Sequence, residues 1–201
     1  MLPRPTTATT NRMGDLMQYL TAIRTVAPTV EPITLAEAKA HLRVETADDD
    51  TFITAAISAA RDAVERYCGR FFAGTTAALI FDYFPAGSKP LRLPVPDVSA
   101  LVAISYLDSN NTEQTLTGAT LRSDGLEILP AVDWPTDVSI GTVRVEITAG
   151  APLEFAGARQ AMLLYLTDIF EVRAATIVGA SVAQNPAALM LMQPYRVGLG
   201  L

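Results

Sequence analysis

Cysteine and histidine are almost missing from this chain, and each scarcity excludes something. A single Cys68 among 201 residues rules out an internal disulfide and fits a reducing compartment. A single His41 leaves no pair of imidazoles for a metal site or for a relay to a nucleophile. Charge is thin as well, at 18% of residues against a typical value of about 25%. The net charge of -6 argues against sequence-independent nucleic-acid binding, which needs clustered Lys and Arg to displace counterions. No apolar run approaches the ~20 residues needed to span a bilayer, and the start, MLPRPTTATTNR, lacks the apolar centre of a signal peptide. The expectation is a soluble intracellular protein. What the chain does have is apolar surface: 50% of residues are hydrophobic. With so little charge to cover it, part of that surface is expected to be buried by partners.

Local grammar divides the chain into five parts. Residues 1–30 read as an N-terminal arm, Pro- and Thr-rich at first, in which Leu16, Met17, Leu20 and Ile23 fit a short amphipathic helix ended by Pro28 and Pro32. Residues 31–73 read as a helical hairpin. Thr34-Leu35-Ala36-Glu37 is a capping box, followed by Leu35, Ala38 and Leu42 at helical spacing. The acids Asp48-Asp49-Asp50 supply a cap and favourable charge for a second helix. Its apolar stripe runs through Phe52, Ile53, Ala56, Ile57, Ala60, Ala63, Val64 and Tyr67 to a stop at Gly69.

Residues 74–150 read as strands: Leu79–Phe84, a short edge at Leu91–Pro94, Val98–Leu107 turning at Asp108–Asn111 into Glu113–Leu116, and a hairpin at Asp124-Gly125. Thr142–Thr148 alternates as a half-buried strand. Residues 151–178 return to helix, with Phe155, Met162, Leu163, Leu166, Ile169 and Phe170 recurring at threes and fours from about Leu153 to Arg173. Residues 179–201 form a tail in which Arg196 is the one charge. The fold class is therefore α+β: a helical bundle of two N-terminal helices plus a long C-terminal one. An antiparallel β lobe is inserted between them, and arms extend from both ends. The expected helical core is Leu35, Leu42, Phe52, Ile57, Val64, Leu163, Leu166 and Phe170.

Chemistry is hard to assemble from these residues. His41 flanks a helix and reads as structural. Cys68 sits at a helix C-terminus, whose partial negative charge disfavours a thiolate. Ser58 and Ser181 lack a nucleophile-elbow context. The triple acid lacks the alternate spacing of a calcium loop, and Gly198-Leu199-Gly200-Leu201 has no strand before it to make a phosphate cradle. Acid at the start of the second helix also opposes a DNA-reading helix-turn-helix. No catalytic, cofactor or metal residue is assigned. Two surfaces are. Arg61, Asp62, Glu65 and Arg66 form a charged helix face fit for a head-to-tail ring contact. The tail, interrupted at Asn185-Pro186 and Gln193-Pro194, reads as an extended peptide with Leu189, Met192, Pro194, Tyr195 and Arg196 as anchors.

The segment Pro32–Arg70, PITLAEAKAHLRVETADDDTFITAAISAARDAVERYCGR, resembles the head–tail connector (adaptor) family of long-tailed bacteriophages. Further likeness follows in Arg92-Leu93-Pro94-Val95-Pro96, Ile104-Ser105-Tyr106-Leu107-Asp108, Trp134-Pro135, the Val143–Gly150 strand and a closing Pro194-Tyr195-Arg196. The N-terminal arm is longer than the leaders typical of that family. The resemblance implies a non-enzymatic protein of the virion neck in a phage or phage-like particle. It further implies a homo-oligomeric, twelve-fold ring beneath the portal protein, tails lodged between portal subunits, and a stopper or tail-completion protein below. DNA would pass only as cargo, with no membrane involved. Rival readings are another neck component, stopper or tail-completion protein, which would be mostly β, and a hydrolase with a pocket in the β lobe.

Overall fold

The computed structural model describes residues 19–150, 155–172 and 185–197. In chain order the elements are β1 (Tyr19–Val26), α1 (Leu35–Leu42), α2 (Asp50–Cys68), β2 (Thr75–Phe81), β3 (Leu91–Arg92), β4 (Val98–Leu107), β5 (Glu113–Leu116), β6 (Thr120–Leu121), β7 (Glu127–Leu129), β8 (Val143–Ala149), α3 (Ala156–Val172) and α4 (Pro186–Met192), then a 3₁₀ turn at Gln193–Tyr195. The class is α+β with an antiparallel sheet, as the sequence indicates.

The hairpin begins where its capping box predicts. Thr34 Oγ1 accepts from the Glu37 amide at 3.2 Å, and the Glu37 carboxylate accepts from the Thr34 amide at 3.1 Å. The triple acid acts differently from expectation. Asp49 occupies the N-cap of α2 without a side-chain cap bond. Asp50 instead accepts from Lys39 Nζ at 2.5 Å, tying the two helices together. Gly69 ends α2 at φ 67°, a left-handed conformation that costs glycine nothing.

One core lies among the helices. Ile53, Ala56, Ile57, Ala60 and Val64 of α2 meet Ala158, Ala161, Met162 and Leu166 of α3, with Ile33, Ala38 and Phe72 filling in. Of the expected core, Ile57, Val64 and Leu166 are fully inside. Leu35, Leu42, Phe52, Leu163 and Phe170 are half-buried at its margin, where the Phe52 and Phe170 rings meet at 6.1 Å.

A second core lies between two sheets. The five-stranded sheet runs β1-β2-β8-β4-β5 and the three-stranded one β3-β7-β6. Ala77, Leu79, Phe81, Val143, Val145 and Ile147 face Leu91, Leu93, Val95, Ile128 and a stacked Phe84–Trp134 pair at 4.9 Å. The Trp134 indole N–H donates to the Lys89 carbonyl at 2.7 Å, so its polar end is satisfied. Thr75 pairs with Ala149, which brings the first and last strands of residues 74–150 together.

Two expectations are overturned. Leu20 and Ile23, assigned to a helix in the arm, lie on β1, which pairs antiparallel with β2. Leu16 and Met17 lie outside the described residues. The β-branched run Thr21, Ile23, Thr25, Val26 favours a pleated strand, with Ala22 and Arg24 on the opposite face. Nor are residues 185–197 an extended peptide. Asn185 caps α4, its Oδ1 accepting from the Ala187 amide at 3.1 Å, and Pro186 takes the first helical position. Asn-Pro is thus a helix start, because proline at that position loses no hydrogen bond.

Candidate assembly surfaces

Two charged and aromatic clusters converge on the C-terminal half of α2. In the first, the Arg61 guanidinium donates to Glu31 at 2.7 Å, Asp62 at 2.8 Å and Glu65 at 3.2 Å. Arg24 reaches down from β1 to Asp62 at 2.8 Å and to Glu65. Glu65 completes its shell by accepting from the backbone amides of Phe72 at 2.7 Å and Ala73 at 3.3 Å. Burial alone would lower the Arg61 pKa. The hydrogen bond to Glu31 and the charges of Glu65, Glu31 and Asp62 outweigh it and raise that pKa.

This cluster buries two of the four residues expected at a ring interface. Arg61 and Glu65 are only 4% and 5% exposed and are consumed inside the chain. Of the four assigned residues, Asp62 and Arg66 remain exposed. Arg24 and Glu31, which complete the network, carry no local signal in the sequence, because the contacts close across the fold.

In the second cluster residues 185–197 fold back. Ala188 and Met192 are fully buried against α3 and α2. The Tyr195 ring packs edge-on to Phe155 at 5.3 Å and Phe72 at 6.4 Å. Arg70 lies over Phe155 at 4.8 Å and donates to Asp97 at 2.6 Å. Arg196 stands over the Tyr67 ring at 5.6 Å, and the Val197 amide donates to the Cys68 carbonyl at 2.8 Å. That last bond satisfies one of the helix-end carbonyls of α2.

Met192, expected as a docking anchor, is a core residue, fully buried within the chain. Tyr195 is half-buried in its aromatic cluster, while Leu189 is half-buried and Pro194 and Arg196 are exposed. Met190, not among the expected anchors, is 78% exposed on the outward side of α4; its place four residues after Pro186 and two before Met192 puts it opposite the buried stripe.

The remaining reactive groups are structural in their surroundings. His41 is exposed, its Nε2 at 3.0 Å from Thr167 Oγ1. Cys68 is fully buried, and that burial pushes its thiol up to about 11. Ser58 donates to Glu31 at 2.9 Å, and Ser181 lies outside the described residues.

Two hollows stand out. A cleft of about 440 Å³ between α2 and β1 is walled by Arg24, Asp62, Glu65, Arg70, Phe71 and Val95 among others, and its charges are mostly paired with one another. In the β lobe, a hollow of about 310 Å³ is lined by residues 101–104 and 115–119, with no ionisable side chain among them. A hydrolytic site needs placed acids or bases, so the β-lobe hollow gives the hydrolase reading no support.

Residues 32–127 match the family described as phage gp6-like head-tail connector protein, which bears out the resemblance read from Pro32–Arg70. Among curated proteins no sequence matches. Solved structures share the fold, three of them as follows. One is from the neck of an empty gene transfer agent particle computed with C6 symmetry, at 22% identity and a TM-score of 0.68. Another is from the virion of a native gene transfer agent particle, at 20% and 0.66. A third is from the neck of the native particle computed with C12 symmetry, at 21% and 0.63. Each likeness covers 90% of this chain and 98% of the other.

Proposed function

We propose that this chain is a structural, non-enzymatic head–tail connector of a phage or phage-like particle, residing in the neck. It forms a homo-oligomeric ring beneath the portal protein, with DNA passing through the middle and a stopper or tail-completion protein attached below. The observation that carries this reading is the connector-family match over residues 32–127, with the same fold continuing across 90% of the chain in neck proteins of gene transfer agent particles. Their C6 and C12 symmetries favour a ring for this chain too. Net negative charge suits a channel that must let DNA slide without adhering.

Within this reading the β lobe, residues 74–150, is an insertion into the helical part, supported by the pairing of Thr75 with Ala149. Portal contact falls to the outer side of α4 and the turn after it: Met190, Leu189, Pro194 and Arg196. Co-expression with the portal protein encoded for the same particle, followed by electron microscopy of the purified complex, tests the reading. A ring of this chain on one end of the portal is expected; portal rings that come out bare would overturn it.

A further inference from the structure

The five-stranded sheet has two open stretches at opposite ends. Among the described residues, β1 pairs on one side only, with β2. At the other end β5 ladders with Ile104–Leu107 alone, which leaves β4 without a ladder partner on that side before Ile104. Both stretches are apolar. Ile23 and Val26 of β1 are 50% and 54% exposed, and Val102 of β4 is 54% exposed. A register shift between Leu101 and Ala103 accompanies the outward turn of Val102 beside the 310 Å³ hollow. The one charge on either stretch, Arg24, is turned inward to Asp62 and Glu65. Exposed edges are normally guarded by charge, proline or brevity. The eight residues of β1 carry no proline and no outward charge, and are guarded only by the inward Arg24 and by register shifts at Tyr19/Thr21 and Arg24/Val26.

The two stretches also stand at the same height. Across the sheet Ile23 pairs with Ala78, Ala78 with Glu146, and Glu146 with Ala103. Likewise Val26 leads through Thr76 and Thr148 to Ala100. The strands β1, β2, β8 and β4 alternate in direction, so another β1 laid beside β4 would run antiparallel, like every pair already in the sheet. We propose that neighbouring copies of this chain meet edge to edge, Ile23 and Val26 of one copy seating against Ala100–Ala103 of the next. This rests on the ring reading above. The contact joins two different patches, so it is heterologous; repeated without a shift along the strands, it closes a ring when the rotation from copy to copy divides a full turn. Pairing of β1 with β1 would give only a two-fold dimer.

The test uses the full chain co-expressed with its portal protein, with Ile23→Cys and Ala103→Cys introduced together and singly. Paired residues on adjacent antiparallel strands sit about 4.5–5.5 Å apart at Cα, within the span a disulfide bridges. Buried Cys68 stays in place as the background control. Mild oxidation of the purified complex should give a ladder of covalent multimers from the double variant and monomer from each single variant. Mixing the two single variants should give dimers and nothing larger. Complexes that assemble but do not cross-link would overturn the edge contact and leave the ring reading standing. Dimers from Ile23→Cys alone would show two-fold β1 pairing and overturn it as well. Failure of the unsubstituted chain to assemble on portal would overturn both.

Discussion

Gly157 and Tyr195 are built around each other. The Gly157 amide donates to the Tyr195 hydroxyl oxygen at 3.3 Å, and a β-carbon on Gly157 would stand 2.8 Å from the tyrosine ring. Alanine at this position ordinarily gains about 1 kcal/mol in a helix. Here it must displace Tyr195 from its contacts with Phe72 and Phe155, and overpacking of this kind costs about 1–3 kcal/mol. Gly157→Ala is expected to lower the urea midpoint with the slope unchanged. A raised midpoint would mean the tyrosine yields freely.

Met192 is fully buried, so Met192→Ala should cost about 2–5 kcal/mol, much as Leu166→Ala should. Met190→Ala, at a position 78% exposed, should stay within about 0.5 kcal/mol. Equilibrium denaturation of the three variants checks this. Equal small effects at 190 and 192 would mean the last helix is not part of the core. Removing residues 186–201 is accordingly expected to destabilise the fold, since it strips Met192 from the core and Val197 from the Cys68 carbonyl.

Glu65 serves two guanidinium groups and two backbone amides while 5% exposed. Glu65→Ala would leave Arg24 and Arg61 short of a counter-charge, and breaking such a buried pair costs about 3–5 kcal/mol. Arg66→Glu, on the exposed side, should change stability by less than about 0.5 kcal/mol. Thermal melting of both variants tells them apart; comparable losses would place Arg66 in the network.

Acid should loosen the contact between α1 and α3. The hydrogen bond from Arg159, then those from the Thr34 amide and hydroxyl, hold Glu37 at about 2, down from 4.5. A depressed carboxylate contributes stability that is complete above its unfolded value and is lost as pH falls from about 4.5 toward 2. Melting temperature followed from pH 6 downward should fall less steeply for Glu37→Gln than for the natural chain across that window. Parallel curves would remove Glu37 from the acid response. The group is well exposed, so the difference is expected to be small.

The hairpin was readable because its signals are local: Thr34 and Glu37 lie three residues apart, and the α2 stripe keeps one period to Gly69. The limits of β4 were equally plain, since Val98–Leu107 is continuous in β-prone residues and ends in turn chemistry. β1 was hidden because its period rested on a few apolar residues that also fit a helix, and its partner lies some fifty residues away. α4 is hidden because Asn-Pro reads as an interruption when it is a cap and first turn. Arg61, Asp62, Glu65 and Arg66 read as a charged face, yet the partners Arg24 and Glu31 sit 30 to 41 residues distant. No spacing rule in the chain announces contacts of that kind.

The last turns of α2 hold both ends of the described chain. Arg24 grips Asp62 and Glu65 from the N-terminal side, and Val197 holds the Cys68 carbonyl from the C-terminal side. Opening of that helix end therefore releases strand and tail in one event, so the two extremities belong to a single cooperative unit. In native-state hydrogen exchange the Val197 amide and the amides at Phe72 and Ala73 that rest on Glu65 should share one opening free energy. Loss of either extremity is then felt at the other, although they are far apart along the chain.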